Sequence, residues 1–510
     1  MKFSTLVQFL KSKPWHWYLA IVITLIAGFI RFYRIPHTLM FLGDQGRDAI
    51  IVARIFKEFD PVLIGPVTSV GNMYLGPLYY YFMMPFLWLS YPSPLGPVYA
   101  VALFSTLSIF LLYSVGKKMF SPVTGLLSAF FMAFSYSAVE LSRFSWNPNL
   151  APLLSILMIY HCWKALKQPK YWLWVAVWFS AIIQLHYLTL LTGASAGLLW
   201  IYSTFLTKKE KKDIKKFVTS SLLSLLIVLL SLSPLVLFDL RHSGINYLAI
   251  QSMFTKEEIF VDKQANTFSQ TANRYLTNVK SRSSTILVNL NLGSQQKLGM
   301  LLLGIIFITL IFLIIKKKKQ EHQNALLVLL SFLIVGIMGT AAYQHSLFTH
   351  YIAYLIPVVC LVYALSLRLI IKTLKKWSIP ILLAVAVGYL VINYPLWPLK
   401  PHNLFFNTKQ ISAQVANLLN EDDRYEIVLL SETNDHHGQS YRYFLSTTNN
   451  PPIVRDKGEI PNTLVIIDEE KKVEDVAQIP IYDIVVFPSK EIDLFFENKD
   501  LANIYILRKE

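Results

Sequence analysis

The chain has 510 residues, of which 54% are hydrophobic and only 15% are charged. A soluble protein of this length needs far more charge to cover its surface, so a disordered, collagen-like or ordinary soluble chain is excluded and a protein of many membrane spans remains. The net charge of +16 is uneven, with 36 Lys/Arg against 12 Asp/Glu in residues 1–400 and 11 against 19 in 401–510. That pattern reads as basic loops facing an anionic cytoplasmic leaflet, and no nucleic-acid partner is expected. Cys162 and Cys360 both lie in apolar runs and offer neither a disulfide framework nor a zinc spacing.

In chain order, Lys11 and Lys13 precede an apolar run at 17–30 that ends at Arg31 and Arg34, an uncleaved first span with a cytoplasmic N-terminus. The following loop reads Phe41-Leu-Gly-Asp44-Gln45-Gly46-Arg47-Asp48, and apolar positions 50, 51, 55 and 59 then recur at helical spacing. This predicts an amphipathic helix along the membrane surface, with Asp44 just before its start in an N-cap position and Gly43 and Gly46 permitting unusual backbone geometry. The stretch 76–90 holds Pro77 and Pro85 and is short, so it is read as an interfacial or re-entrant helix.

Further spans are predicted near 97–116, 121–140, 149–166, 171–187, 188–206, 217–239, 297–315, 322–341, 350–371 and 377–396, about eleven in all. Lysine clusters at 117–118, 164–170, 208–216, 316–319 and 372–376 mark the inner turns. The turns near 141–148, 187, 240–296 and 342–349, and everything after 397, then lie outside. The long polar segment 240–296 suits a cover over an outer cavity, with helices of its own. Residues 400–510 change character. Strands are predicted at 427–430, 463–467 and 484–487, and helices at 411–419 and 439–444. The fold class expected is an α-helical polytopic membrane protein, residues 1–398, with a small C-terminal α/β domain, residues 399–510, on the outer face.

Polar residues gather at the outer turns. Glu140, Arg143, Trp146, Asn147 and Asn149 form one group, Gln184, His186 and Tyr187 a second, His345, His350 and Tyr351 a third, and Asp239, Arg241 and His242 end the span at 217–239. A single polar residue in a span ordinarily makes a helix–helix contact, and a rim Arg ordinarily snorkels. Several converging on one leaflet point to a common hydrophilic cavity. Tyr79, Tyr80 and Tyr81 read equally as belt residues or as the lining of a sugar or lipid channel. The run Asp435-His436-His437 is too little to make a metal site. No phosphate-binding P-loop, serine-hydrolase elbow or zinc-protease helix occurs.

Taken together, Asp44-Gln45 in the first outer loop, the surface helix after it, the Gly-Pro-Leu-Tyr-Tyr segment at 76–80, the turn at 143–149, the Phe-Asp-Leu-Arg-His stretch at 238–242 and His350-Tyr351 ahead of Pro357 resemble the GT-C superfamily of integral-membrane glycosyltransferases. The bacterial branch related to protein O-mannosyltransferases and aminoarabinose transferases is the nearer likeness. The resemblance covers roughly residues 15–400. Where the family often carries an Asp-Glu pair, this chain has Asp44-Gln45, with Asp48 one turn further on.

The resemblance implies a polyprenyl-phosphate-linked sugar as donor, transferred with inversion on the outer face to a lipid, glycan or protein hydroxyl. It maps Asp44 onto the catalytic acid, as general base. A basic residue must then hold the leaving phosphate, and Arg241, His242 and Arg143 are the candidates by chemistry and position. Asp48, Arg47, Asp239, Asn147, His186, His350 and Tyr351 are expected in support. A divalent metal is allowed by relatives, although one certain carboxylate argues weakly against it. Two other classes remain open: a transporter or flippase of lipid-linked glycans, which needs polar residues through both leaflets, and a scaffold whose external domain binds a partner.

Overall fold

The computed structural model describes residues 14–68, 73–209, 213–255, 268–293, 304–306, 308–309, 311–312, 320–343, 345–433, 435–454, 460–471, 476–498 and 501–509. The predicted span 297–315 and the lysines at 316–319 lie largely or wholly outside these residues, as do Lys11, Lys13 and parts of 208–216 and 240–296.

The protein is mostly helical. Seven described helices are long and apolar enough to cross a membrane: Trp15–Phe32, Leu95–Met119, Tyr187–Thr207, Ile214–Arg241, Gln320–Ala342, Thr349–Thr373 and Lys375–Leu396. Three more predicted spans appear as shorter helices, Pro122–Phe134, Ala151–Ala165 and Trp172–Ile183. Breaks between them have local causes. At Ser135 the hydroxyl starts a new short helix, Tyr136–Glu140, by accepting from the Ala138 N–H, while the freed Tyr136 N–H donates to Asn393 Oδ1 at 2.6 Å. The proline-bearing stretch forms the helix Leu78–Ser90, whose 13 residues reach about 20 Å, too short for ~30 Å of hydrocarbon.

The surface helix spans Gly43–Lys57. Gln45, Gly46, Asp48, Ala49, Val52, Ala53 and Ile55 are its buried positions, a face shifted from the predicted one, and Phe59 is exposed. Both glycines are helical, not left-handed. Their reason is close approach: a Cβ at Gly46 would come within 2.2 Å of the Gln439 carbonyl oxygen, and one at Gly43 within 2.2 Å of Asp435 Oδ2. The C-terminal part of the chain therefore sits directly on this helix.

That part begins with helix Leu404–Leu418 and continues into a four-stranded sheet of β1 Tyr425–Leu430, β2 Thr463–Asp468, β3 Leu494–Phe496 and β4 Asn503–Arg508, ordered β1-β2-β4-β3. β1 and β2 pair in parallel, and the other pairs are antiparallel. The predicted strand at 484–487 is instead a short helix, Tyr482–Val486, packed on one face of the sheet through Ile484. A brief apolar run does not distinguish the two by periodicity. Phe405, Tyr443 and Phe444 leave the α/β unit and join the core of the membrane part, where Phe41 meets all three rings at 5.5–6.1 Å.

Candidate active site

A cavity of about 500 Å³ opens at the end of the bundle that carries the surface helix. Asp44 and Arg47 form one wall, Trp146, Asn147, His186, Tyr187, Phe348, His350 and Tyr351 the facing walls, and Pro66, Val67, Thr68 and Leu75 part of the rim. The rim is a small hairpin, with Gly65 N donating to Leu75 O and Leu75 N to Pro66 O.

Asp44 occupies the first turn of the surface helix and is half-exposed, not an N-cap. It pairs with Arg47 one turn on, at 2.8 Å. The same guanidinium bonds Asp48 Oδ1 through Nε at 3.0 Å and Nη2 at 2.8 Å. Two of the five N–H groups of Arg47 therefore remain after these three bonds. Burial pushes the Asp48 carboxyl up to about 6, against the pull of Arg47. A raised carboxyl is stabilising while protonated, so this contribution is present below about pH 4 and is lost as pH rises through about 6. Between pH 4.5 and pH 7 the wild type is expected to lose thermal stability that Asp48→Asn does not lose, as read by paired melts.

The aromatic walls are packed. Trp146 lies 4.4 Å from the His350 ring, His186 lies 4.5 Å from Tyr351, and the two histidine rings are 6.0 Å apart. His186 Nδ1 accepts from the Leu188 N–H at 3.2 Å, so neutral His186 carries its proton on Nε2. The Asn147 amide donates to the Leu185 carbonyl and ties two of the turns together.

Three predicted basic residues are not brought into the cavity. Arg143 is buried and donates to the carbonyls of Ile30, Arg31 and Tyr33 and to Thr38 Oγ1 at 2.6–3.0 Å. It satisfies the last carbonyls of helix Trp15–Phe32, where a cation also suits the helix dipole. Arg143 is structural, and the phosphate-binding role expected for it does not fit. Arg143→Ala should cost on the order of 3 kcal/mol or more in stability by leaving buried carbonyls unpaired. That is measurable as a fall in melting temperature.

Arg241 and His242 are exposed at the end of Ile214–Arg241, and the His242 ring stacks on Phe238 at 4.0 Å. Asp239 makes no ion pair with Arg241 among the described residues. Its carboxylate accepts from the Asn246 and Tyr247 N–H groups and starts the helix Ile245–Thr255.

Asp239 does line a second space, an apolar groove of about 300 Å³ beside the cavity. Leu190, Leu191, Leu232, Leu235, Val236 and Ile250 give it its character, and it shares Leu75 and Tyr187 with the cavity. Sequence reading missed the rim hairpin, because its strands are too short to show a period. It also missed Asp435, whose carboxylate lies against Gly43 next to Asp44 and caps the helix Gln439–Leu445 by accepting from Gln439 N at 2.9 Å. No spacing links residues 44 and 435. Among the described residues no group of three or more His, Cys, Asp or Glu side chains is placed to hold a metal ion.

Residues 75–238 match the family model of dolichyl-phosphate-mannose-protein mannosyltransferases. No curated protein matches the chain in sequence. Among solved structures, ArnT from Cupriavidus metallidurans bound to undecaprenyl phosphate is similar, with TM-score 0.55 and 12% identity over 96% of this chain and 97% of that one. The oligosaccharyltransferase AglB from Archaeoglobus fulgidus, in complex with an inhibitory peptide and a dolichol-phosphate, matches with TM-score 0.55 and 10% identity over 90% of this chain and 70% of that one. The chain thus has the GT-C fold of integral-membrane glycosyltransferases, and its segment 75–238 matches the mannosyltransferase model within that fold.

Proposed function

We propose that the protein is an inverting glycosyltransferase. It would move a sugar from a polyprenyl-phosphate donor to an acceptor hydroxyl at the outer face of the cytoplasmic membrane, with its N-terminus inside and its α/β unit outside. The observation that carries this reading is the junction of a polar cavity with an apolar groove through the shared residues Leu75 and Tyr187. A polyprenyl-phosphate sugar has the same two-part character, so its sugar and phosphate suit the cavity and its first isoprene units the groove. The dolichyl-phosphate-mannose chemistry of the matched family and the undecaprenyl phosphate bound to ArnT support this class of donor.

In this reading Asp44 accepts the acceptor hydroxyl proton as that oxygen attacks the anomeric carbon from the side opposite the phosphate. The carbon–oxygen bond to phosphate breaks and the phosphate leaves with the electron pair. The leaving group is already a weak base, so no second carboxylic acid is required. Arg47 is the basic group that the cavity offers to the phosphate. Its two remaining N–H donors reach a ligand without releasing Asp44 or Asp48. Asp48 holds Arg47 in that orientation. His186, His350, Tyr351, Asn147 and the aromatic walls shape the sugar pocket. The acceptor is a lipid, glycan or protein hydroxyl.

A polyprenyl phosphate carrying a photoreactive group near its head tests the reading. Cross-links are expected on the groove segments around residues 75, 187 and 232–250, and Arg47→Ala should weaken capture by tenfold or more. Cross-links scattered evenly over the lipid-facing helices would contradict it.

A further inference from the structure

At the opposite end of the bundle lies a third cavity, of about 600 Å³. It sits between the turn Pro169–Tyr171 and the start of helix Ile214–Arg241, and is lined by Lys167, Lys170, Lys215 and Lys216, by Asp213, and by the hydroxyls of Thr219 and Ser220. Lys167 pairs with Glu321 and Lys216 with Asp213. Lys170 and Lys215 form no ion pair among the described residues, where four lysines face two carboxylates, a surplus of two positive charges among those residues. The helix N-terminus is already capped, since Asp213 Oδ1 accepts from Lys216 N at 3.1 Å. The surplus is therefore carried by side chains.

Directly along the same helix, the flank of Leu222, Leu223, Leu225 and Leu226 is exposed, and none of the helix's most apolar eighteen-residue stretch is buried. A basic, hydroxyl-bearing cavity thus continues into an apolar strip. An anionic headgroup with acyl chains has that shape and that polarity.

We propose that this cavity binds the headgroup of an anionic phospholipid of the adjacent leaflet, its phosphate against Lys170 and Lys215 and its acyl chains along the exposed flank of Ile214–Arg241. The sugar-carrying lipid is not the occupant. The 24 residue steps of this helix from Lys215 to Asp239, which lines the groove beside the Asp44 cavity, span about 36 Å, so a carrier seated here cannot present its phosphate to Asp44.

The test is native mass spectrometry of the full chain in detergent, with phosphatidylglycerol, phosphatidylcholine, undecaprenyl phosphate and inorganic phosphate as separate probes. Phosphatidylglycerol should be retained over phosphatidylcholine. The Lys170→Gln/Lys215→Gln pair should weaken it about thirtyfold, and the Lys170→Arg/Lys215→Arg pair should not. Melting curves establish that each pair of substitutions leaves the fold intact. Equal retention of both phospholipids, or no effect of the Gln pair, overturns the proposal. Preferential retention of undecaprenyl phosphate through these lysines overturns the choice of occupant, and displacement by millimolar inorganic phosphate reduces the site to a general anion site.

Discussion

Asp44→Asn is expected to abolish sugar transfer while leaving the protein folded, with a loss of about 10²–10⁴ in rate. The substitution keeps the size of the side chain and one acceptor oxygen, so the surface helix and the bond from Arg47 both survive. Only the capacity to take a proton is removed. Because Asp44 is half-exposed and stands in the first turn of its helix, replacing it should change the melting temperature little. Donor binding should also persist, since the proposed contact to phosphate comes from Arg47. A variant that binds polyprenyl phosphate, melts like the wild type and transfers no sugar fits the account. Full transfer by Asp44→Asn would remove Asp44 from the catalytic role.

Gly46→Val is expected to have the second largest effect. The position is helical, so backbone strain is not the issue. The new side chain would meet the Gln439 backbone carbonyl at 2.2 Å and the Ser440 backbone nitrogen at 2.7 Å. Backbone at the start of the helix Gln439–Leu445 cannot turn aside as a side chain can. Overpacking of this kind costs about 1–3 kcal/mol or more. The α/β unit should shift off the surface helix, carrying the Asp435 loop away from Asp44 and loosening the ring contacts of Phe41 with Tyr443 and Phe444. The measurements are faster proteolysis ahead of Leu404 and a parallel fall in transfer. Gly43→Ala should be milder, because the atom it meets is the end of the Asp435 side chain. Equal and full activity in both variants would mean that docking of the α/β unit has no bearing on the site.

The residues explain why part of this was legible in the sequence. Charge and hydropathy alone mark the spans and the two ends of the bundle, because a helix in lipid must satisfy its own backbone and the signal runs for a full membrane thickness. The cavity groups Asp44, Asn147, His186, His350 and Tyr351 were legible as a set, since each is a polar group at the same end of an apolar run. What escaped was decided by contacts distant in sequence. Arg143 and Arg241 look alike as rim arginines, yet Arg143 closes the carbonyls of a helix more than a hundred residues earlier and Arg241 stays in the open. Gly46 looks like a backbone device until the Gln439 carbonyl is placed beside it. The short helix Tyr482–Val486 shows the same limit for local pattern, where five residues with one buried position do not fix a period.

The most direct test of the account is transfer itself. The purified chain is reconstituted in liposomes with a polyprenyl-phosphate sugar labelled in the sugar, together with a membrane extract as acceptor, and the donor, the free polyprenyl phosphate and the label are followed together. The account predicts that label leaves the donor as an equal amount of polyprenyl phosphate appears, and that the label is recovered in a new glycoside with the opposite anomeric configuration. Label that crosses the bilayer still attached to its carrier, with no polyprenyl phosphate released, would contradict a glycosyltransferase and describe a transporter instead.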